Sequence, residues 1–151
     1  MSLPAGTAAP EFSLTANGGG TVSSAALKGK PYVLYFYPKA DTSGCTKEAQ
    51  AFQAGLAAFR KKGAQVIGVS RDPVKALDKF ATKYGLEFPL ASDEAGALTE
   101  AYGVWVEKSM YGRKYMGIER STFLVGADGK IARAWPKVKI DGHADEVLAA
   151  L

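Results

Sequence analysis

The sequence predicts an α/β fold in which a central mixed sheet is flanked by helices and preceded by a β-hairpin. Two observations carry this reading. Three apolar runs rich in β-branched and aromatic residues, Pro31 to Tyr37, Ala64 to Ser70 and Ser121 to Ala127, have the character of strands covered on both faces. Between the first two and after the second, apolar residues recur at three- and four-residue spacing, as on a helix with one buried stripe. A chain of 151 residues can bury a core without staples, and it is read as one domain spanning residues 1–151.

Each element follows in order. The segment PEFSLTANGGGTVS alternates on either side of Asn17 to Gly20 and reads as a small hairpin. After the first central strand, Ala49, Phe52, Leu56 and Phe59 line one face of a helix from about residue 45 to 62. Val74, Leu77, Ala81 and Tyr84 mark a second helix, with Pro73 suited to its first position. A short helix fits DEAGALTEAYG, residues 93–103. Ala127 to Lys130 makes a tight turn between Phe123-Leu124-Val125 and IARAWPKV, and a last helix begins near Gly142 to Ala144. The closing EVLAAL reads as the middle of a helix, so a chain cut short is expected there. A β–α–β half joined to a β–β–α half is the layout of a thioredoxin-like sheet, with the crossover of the first half right-handed.

Composition narrows the function. With 47% hydrophobic and 23% charged residues the chain belongs with ordinary globular proteins, not disordered ones. No apolar run approaches the ~20 residues of a membrane span, and MSLPAGTAAPEF has no basic segment followed by an apolar one; the expected compartment is the cytoplasm. The net charge of +4 is scattered, with only Arg60 to Lys62 clustering, so no nucleic-acid partner is expected. One cysteine excludes an internal disulfide or an all-cysteine metal site, and the one histidine, His143, does not complete a zinc site with it. No metal or other cofactor is expected.

That cysteine, Cys45, lies in YFYPKADTSGCTKEAQAF, after a central strand and a loop and at the opening of a helix. Free cysteines are commonly small buried hydrophobes. This position differs, because ligands of open α/β sheets sit beyond the carboxyl ends of the strands. The first helical turn also presents free N–H groups and partial positive charge, which favour thiolate. An ordinary thiol needs about 3.4 kcal/mol of preferential stabilisation of its anion to make thiolate dominant at neutral pH. A helix end supplies roughly 0.3–1 kcal/mol, about 2 at best, so another donor or a cation is required. Thr42 offers a hydroxyl, either to the sulfur or as a helix cap, and a distant arginine would supply the rest. A C-x-x-C pair is absent, which rules out dithiol–disulfide exchange.

The same stretch resembles the active-site loop of peroxiredoxins, in which Pro, three residues, Thr or Ser, two residues and Cys recur; here these are Pro38, Thr42 and Cys45. The blocks GCTKE, GVSRD, FPLASDE, YGVW, EKSMYG and GIERSTFL extend the likeness over nearly the whole chain, to the PrxQ or bacterioferritin comigratory group. The resemblance implies a thiol peroxidase that reduces hydrogen peroxide and organic hydroperoxides without metal, haem or flavin. It implies that Cys45 is the nucleophile, that Thr42 hydrogen-bonds thiolate and peroxide, that Pro38 shields the site, and that Arg120 stabilises thiolate and transition state. Glu48 is read as support for the loop through Arg120 or a backbone N–H. Arg71 is expected to pair with Asp72 or solvent, and Tyr37 and Trp105 to pack in the core or wall the pocket.

Two departures from the family pattern matter. Ser43 stands where many members have proline, which loses a rigid φ and keeps the turn. The second, resolving cysteine is missing both from Gln50, five residues after Cys45, and from the second helix, where Ala81 holds the corresponding place. A sulfenic acid on Cys45 therefore needs an external thiol, whether thioredoxin, glutaredoxin or glutathione, and is exposed to over-oxidation. The chain is expected to be a monomer or weak dimer. The same missing thiol also permits a redox sensor or chaperone-like protein with little turnover; sustained peroxide consumption with a thiol donor separates the two.

Overall fold

A computed structural model describes residues 2–151. Five strands form the central sheet in the order β5 (Leu90–Ser92), β4 (Gln65–Ser70), β3 (Tyr32–Phe36), β8 (Ser121–Val125) and β9 (Ile131–Trp135). β3, β4 and β5 are parallel, and β8 and β9 add antiparallel on the other side of β3. The three central runs read from the sequence are β4, β3 and β8. The partner read across the tight turn from β8 is β9, and only the edge strand β5, three residues long, went unread.

Every residue of β3 is buried, which is why its sequence lacks polar alternation. Val33 and Tyr35, with Tyr37 beyond the strand end, face one core together with α1 (Ser43–Lys61), α2 (Val74–Tyr84) and α4 (His143–Ala149). Tyr32, Leu34 and Phe36 face the other, with the N-terminal hairpin, α3 (Ala97–Ala101) and Val104. The long helices thus share one face, and the short α3 covers the other.

The N-terminal hairpin pairs β1 (Ser13–Thr15) with β2 (Thr21–Ser23) through a 3-10 turn at Asn17–Gly19. It is fastened to the sheet by the Leu90 N–H, which donates to Asn17 Oδ1 (2.8 Å), and to α2 by the Gly18 N–H on Asp78 Oδ1 (2.6 Å). Pro73 caps α2 from outside its first turn, and Gly85 closes the helix in the left-handed region at φ 63°. α4 takes in most of the closing segment, through Ala149. Its His143 sits 2.8 Å from Thr122 Oγ1 on β8, between the rings of Phe52 and Trp135.

One further element was not anticipated. β6 (Trp105–Met110) and β7 (Arg113–Ile118) form a separate antiparallel arm that turns through Tyr111 and Gly112, both at positive φ. Most of the arm is exposed or only half-buried, so neither strand shows the apolar alternation that marks a strand in sequence.

Gly68 on β4 pairs with Tyr35 on β3, and a Cβ there would lie 2.9 Å from the Tyr35 ring carbon Cζ and its hydroxyl. That space lets Tyr35 stack on Phe52 of α1, with centroids 4.6 Å apart. Gly68→Ala is expected to cost about 1–3 kcal/mol by overpacking, read as a lower urea midpoint at unchanged slope.

Candidate active site

β3 delivers the chain to the site. Its pairing with β4 extends one residue past the strand, through the Tyr37 N–H on the Val69 carbonyl (3.1 Å), and residues 38–42 then turn into α1. The turn is made at Asp41, whose φ of 61° lies in the left-handed region that aspartate tolerates better than most residues. The Asp41 carboxylate accepts from the Tyr84 hydroxyl (2.7 Å) and the Lys83 ammonium (3.0 Å), at the end of α2. These hydrogen bonds, Tyr84's foremost, hold the Asp41 carboxyl below its usual pKa. The Ala40 N–H donates to Asp72 Oδ2 (2.8 Å), which also accepts from Ser70 Oγ (2.7 Å). The loop is therefore fixed from both the β4–α2 connection and the far end of α2.

Cys45 lies in the first turn of α1 and is 1% exposed. The Thr46 N–H bonds to the Thr42 carbonyl (2.9 Å), so the amides of residues 43–45 precede the helical ladder and lend the turn its positive end.

Arg120 arrives from the connection between β7 and β8. Antiparallel register sets Ser121 opposite Phe36, so the preceding residue falls beside the end of β3, where the loop begins. Its guanidinium donates through Nη2 to Cys45 Sγ (3.3 Å) and through Nη1 to Glu48 Oε1 (2.7 Å). Glu48 is three residues beyond Cys45 on the same face of α1 and its side chain is 2% exposed. Burial pushes its carboxyl up to about pH 7, against the opposing pull of the Arg120 charge and hydrogen bond. Glu48 Oε2 is buried and meets no partner among the described residues. Burial by itself would lower the Arg120 pKa, but the neighbouring Glu48 and Cys45 outweigh it and the guanidinium is held above its ordinary value. It is a fixed cation aimed at sulfur.

Cys45, Arg120 and Glu48 are thus brought together, while the other two predicted residues stand apart. Pro38 is half-buried at the start of the loop. Thr42 is exposed and occupies the cap position through its backbone alone. Its hydroxyl donates to the Lys39 carbonyl (2.8 Å), which differs from the expected hydrogen bond to Cys45: one hydroxyl proton serves one acceptor. Arg71 does not pair with Asp72. It donates to Thr99 Oγ1 (2.9 Å) and lies 3.4 Å over the Trp105 ring, stapling the β6–β7 arm to α3. Tyr37 is fully buried in the core, with its ring 6.2 Å from Phe80.

Sequence reading missed the tethers. Asp41, Tyr84 and Asp72 belong to three separate segments, and no local pattern links them. It also missed Lys108 on β6, half-buried and held below its ordinary pKa by burial and then by the like charge of Arg120. EKSMYG is the block that contained it.

The fold and the site define a thioredoxin-like protein with a single cysteine whose sulfur is hydrogen-bonded by a half-buried arginine. Residues 5–134 match the model of the AhpC/TSA family, and the chain belongs to that family. Its relatives there are peroxiredoxins of the Bcp, or PrxQ, group. The Peroxiredoxin Bcp of Xanthomonas campestris is 50% identical over 100% of this chain and 93% of that one. The putative peroxiredoxin bcp of Coxiella burnetii is 49% identical over the full length of both chains. Among solved structures, a cysteine-to-serine mutant of Xanthomonas campestris Peroxiredoxin Q superposes with a TM-score of 0.91 at 47% identity, covering 98% of this chain and 97% of that one.

The buried carboxyl sets a pH dependence. A Glu48 pKa raised from 4.5 to about 7 means that its contribution to stability is complete below pH 4.5 and is lost as pH rises through 7, on the order of 3 kcal/mol in all. His143, held below 6.5 chiefly by burial, acts oppositely: its contribution is present above pH 6.5 and lost as pH falls. Glu48→Gln is expected to flatten the loss of stability between pH 4.5 and 7 and to leave the acid limb in place, as followed by denaturant midpoints across pH.

Proposed function

We propose that Cys45 is the peroxide-attacking nucleophile of a thiol-dependent peroxidase, with Arg120 as the cation that stabilises its thiolate and the charge of the transition state. The observation that carries this reading is the Arg120 Nη2 to Cys45 Sγ hydrogen bond of 3.3 Å, with Glu48 fixing the same guanidinium. Family membership supports the reaction class. The work on the Xanthomonas campestris relative (50% identical, TM-score 0.88) describes alkyl peroxide reduction.

In the proposed step the Cys45 thiolate attacks one peroxide oxygen. An S–O bond forms as the O–O bond breaks, and sulfur is oxidised as the peroxide is reduced. The attacked oxygen keeps its hydrogen as Cys45 sulfenic acid, and the leaving oxyanion takes a proton to depart as water or alcohol. Arg120 faces the charge that develops as the bond breaks, and preorganised donors of this kind are worth roughly 10²–10³ in rate. Thr42 orients the incoming peroxide once its hydroxyl turns from Lys39, and Pro38 covers the loop side of the sulfur.

With one cysteine in the chain, an external thiol must reduce the sulfenic acid. A single free thiol suits a reducing compartment such as the cytoplasm.

Cys45→Ser is expected to abolish thiol-dependent peroxide consumption. Arg120→Ala should slow the single-turnover peroxide step by roughly 10²–10³ and lower the rate of Cys45 alkylation at neutral pH. Equal alkylation rates in wild type and Arg120→Ala across the pH range would remove arginine from the account.

A further inference from the structure

The peroxidase reading leaves the reducing thiol unassigned, and the surface beside Cys45 carries a feature that bears on its chemistry. A groove of about 1070 Å³ opens between the first turns of α1, the end of α2 and residues 139–141. Its size reaches the upper end of small-molecule sites, roughly 300–1,000 Å³. Three ammonium groups, Lys47, Lys83 and Lys139, and two carboxylates, Asp41 and Asp141, line it, an excess of one positive charge.

These charges are unequally committed. Lys83 pairs closely with Asp41 (3.0 Å) in the loop tether. Lys47 and Asp141 lie 3.8 Å apart with side chains 71% and 95% exposed, a pair worth roughly 0–1 kcal/mol and easily exchanged for a ligand. Lys139 is exposed and meets no acid within salt-bridge distance among the described residues. Lys139 therefore has no acid partner among the described residues, and Lys47 and Asp141 are held only by a weak, exposed pair that a ligand can replace.

The groove adjoins the site at Gly44. Gly44 lines it, and a Cβ on Gly44 would lie 3.3 Å from Arg120 Nη2, the nitrogen that bonds Cys45. Gln50, one of the two positions where the family pattern places a second thiol, also lines the groove.

We infer that this groove binds the reductant, a small peptide thiol bearing two carboxylates and one ammonium, with the carboxylates on Lys47 and Lys139 and the ammonium on Asp141. The inference rests on the peroxidase cycle above. In the first step the bound thiol attacks the Cys45 sulfenic sulfur: an S–S bond forms, the S–O bond breaks, and the hydroxyl leaves as water with the thiol's proton. A second thiol then displaces Cys45 from the mixed disulfide, so two thiols supply the two electrons. Because Cys45 is buried before oxidation, the first turn of α1 must shift for this attack.

The test compares kcat/KM for glutathione with that for uncharged 2-mercaptoethanol, at fixed peroxide, in wild type, Lys139→Glu, Lys139→Arg and Lys47→Glu. The glutathione to 2-mercaptoethanol ratio is expected to fall about tenfold in each glutamate variant and to be kept by Lys139→Arg. In wild type it should fall as salt rises. Lys139 and Lys47 are exposed, and thermal melts of the variants check that the fold is intact. A ratio indifferent to these substitutions and to salt, or turnover supported by reduced thioredoxin and 2-mercaptoethanol but not by glutathione, would overturn the groove and leave the peroxidase standing. No peroxide consumption with any thiol would overturn the peroxidase cycle itself.

Discussion

The guanidinium of Arg120 joins α1 to the β7–β8 connection, and no other cation is hydrogen-bonded to the sulfur among the described residues. Taking the guanidinium away would strand Glu48 as an uncompensated buried carboxyl and remove the donor from Cys45. Breaking a buried pair on one side commonly costs about 3–5 kcal/mol. Burial works against ionised Glu48 while Arg120 works for it, and burial is the larger of the two. In the proposed peroxide step, a cation held this firmly stays in place while charge moves from sulfur into the breaking O–O bond, which is the condition for electrostatic catalysis.

The sheet supplies the rest of that firmness. β3 is wholly buried and pairs on both sides, so its end is a fixed point from which both the loop and, through the register with β8, Arg120 are placed. The loop itself is polar and largely exposed, and it is held by a few hydrogen bonds to Asp72, Tyr84 and Lys83. Firm cation and lightly tethered loop meet at one sulfur. The proposed cycle, in which Cys45 reacts in a closed pocket and then meets a second molecule, needs both.

Much of the architecture was legible because it follows from burial. β3, β4 and β8 announce themselves as uninterrupted apolar runs, and α1 and α2 by stripes whose residues, Phe52, Leu56, Leu77 and Ala81 among them, are buried as the spacing requires. The β6–β7 arm was not legible, since exposed strands carry no apolar alternation, and β5 is too short to show a period. At the site, Cys45 was visible from its place after a strand and before a helix. Arg120 was visible only through resemblance, because its 75-residue separation from Cys45 leaves no local pattern.

The sequence by itself determined that one thiol sits at a helix start beyond a central strand, and that the chain holds no second thiol to form a disulfide with it. These are properties of composition and periodicity. Only the tertiary structure decided which cation meets that sulfur, that Glu48 shares it, that the Thr42 hydroxyl points to Lys39, and that Arg71 lies over Trp105. Such choices turn on strand register and desolvation, which join residues far apart in the chain and come into being only as the sheet closes.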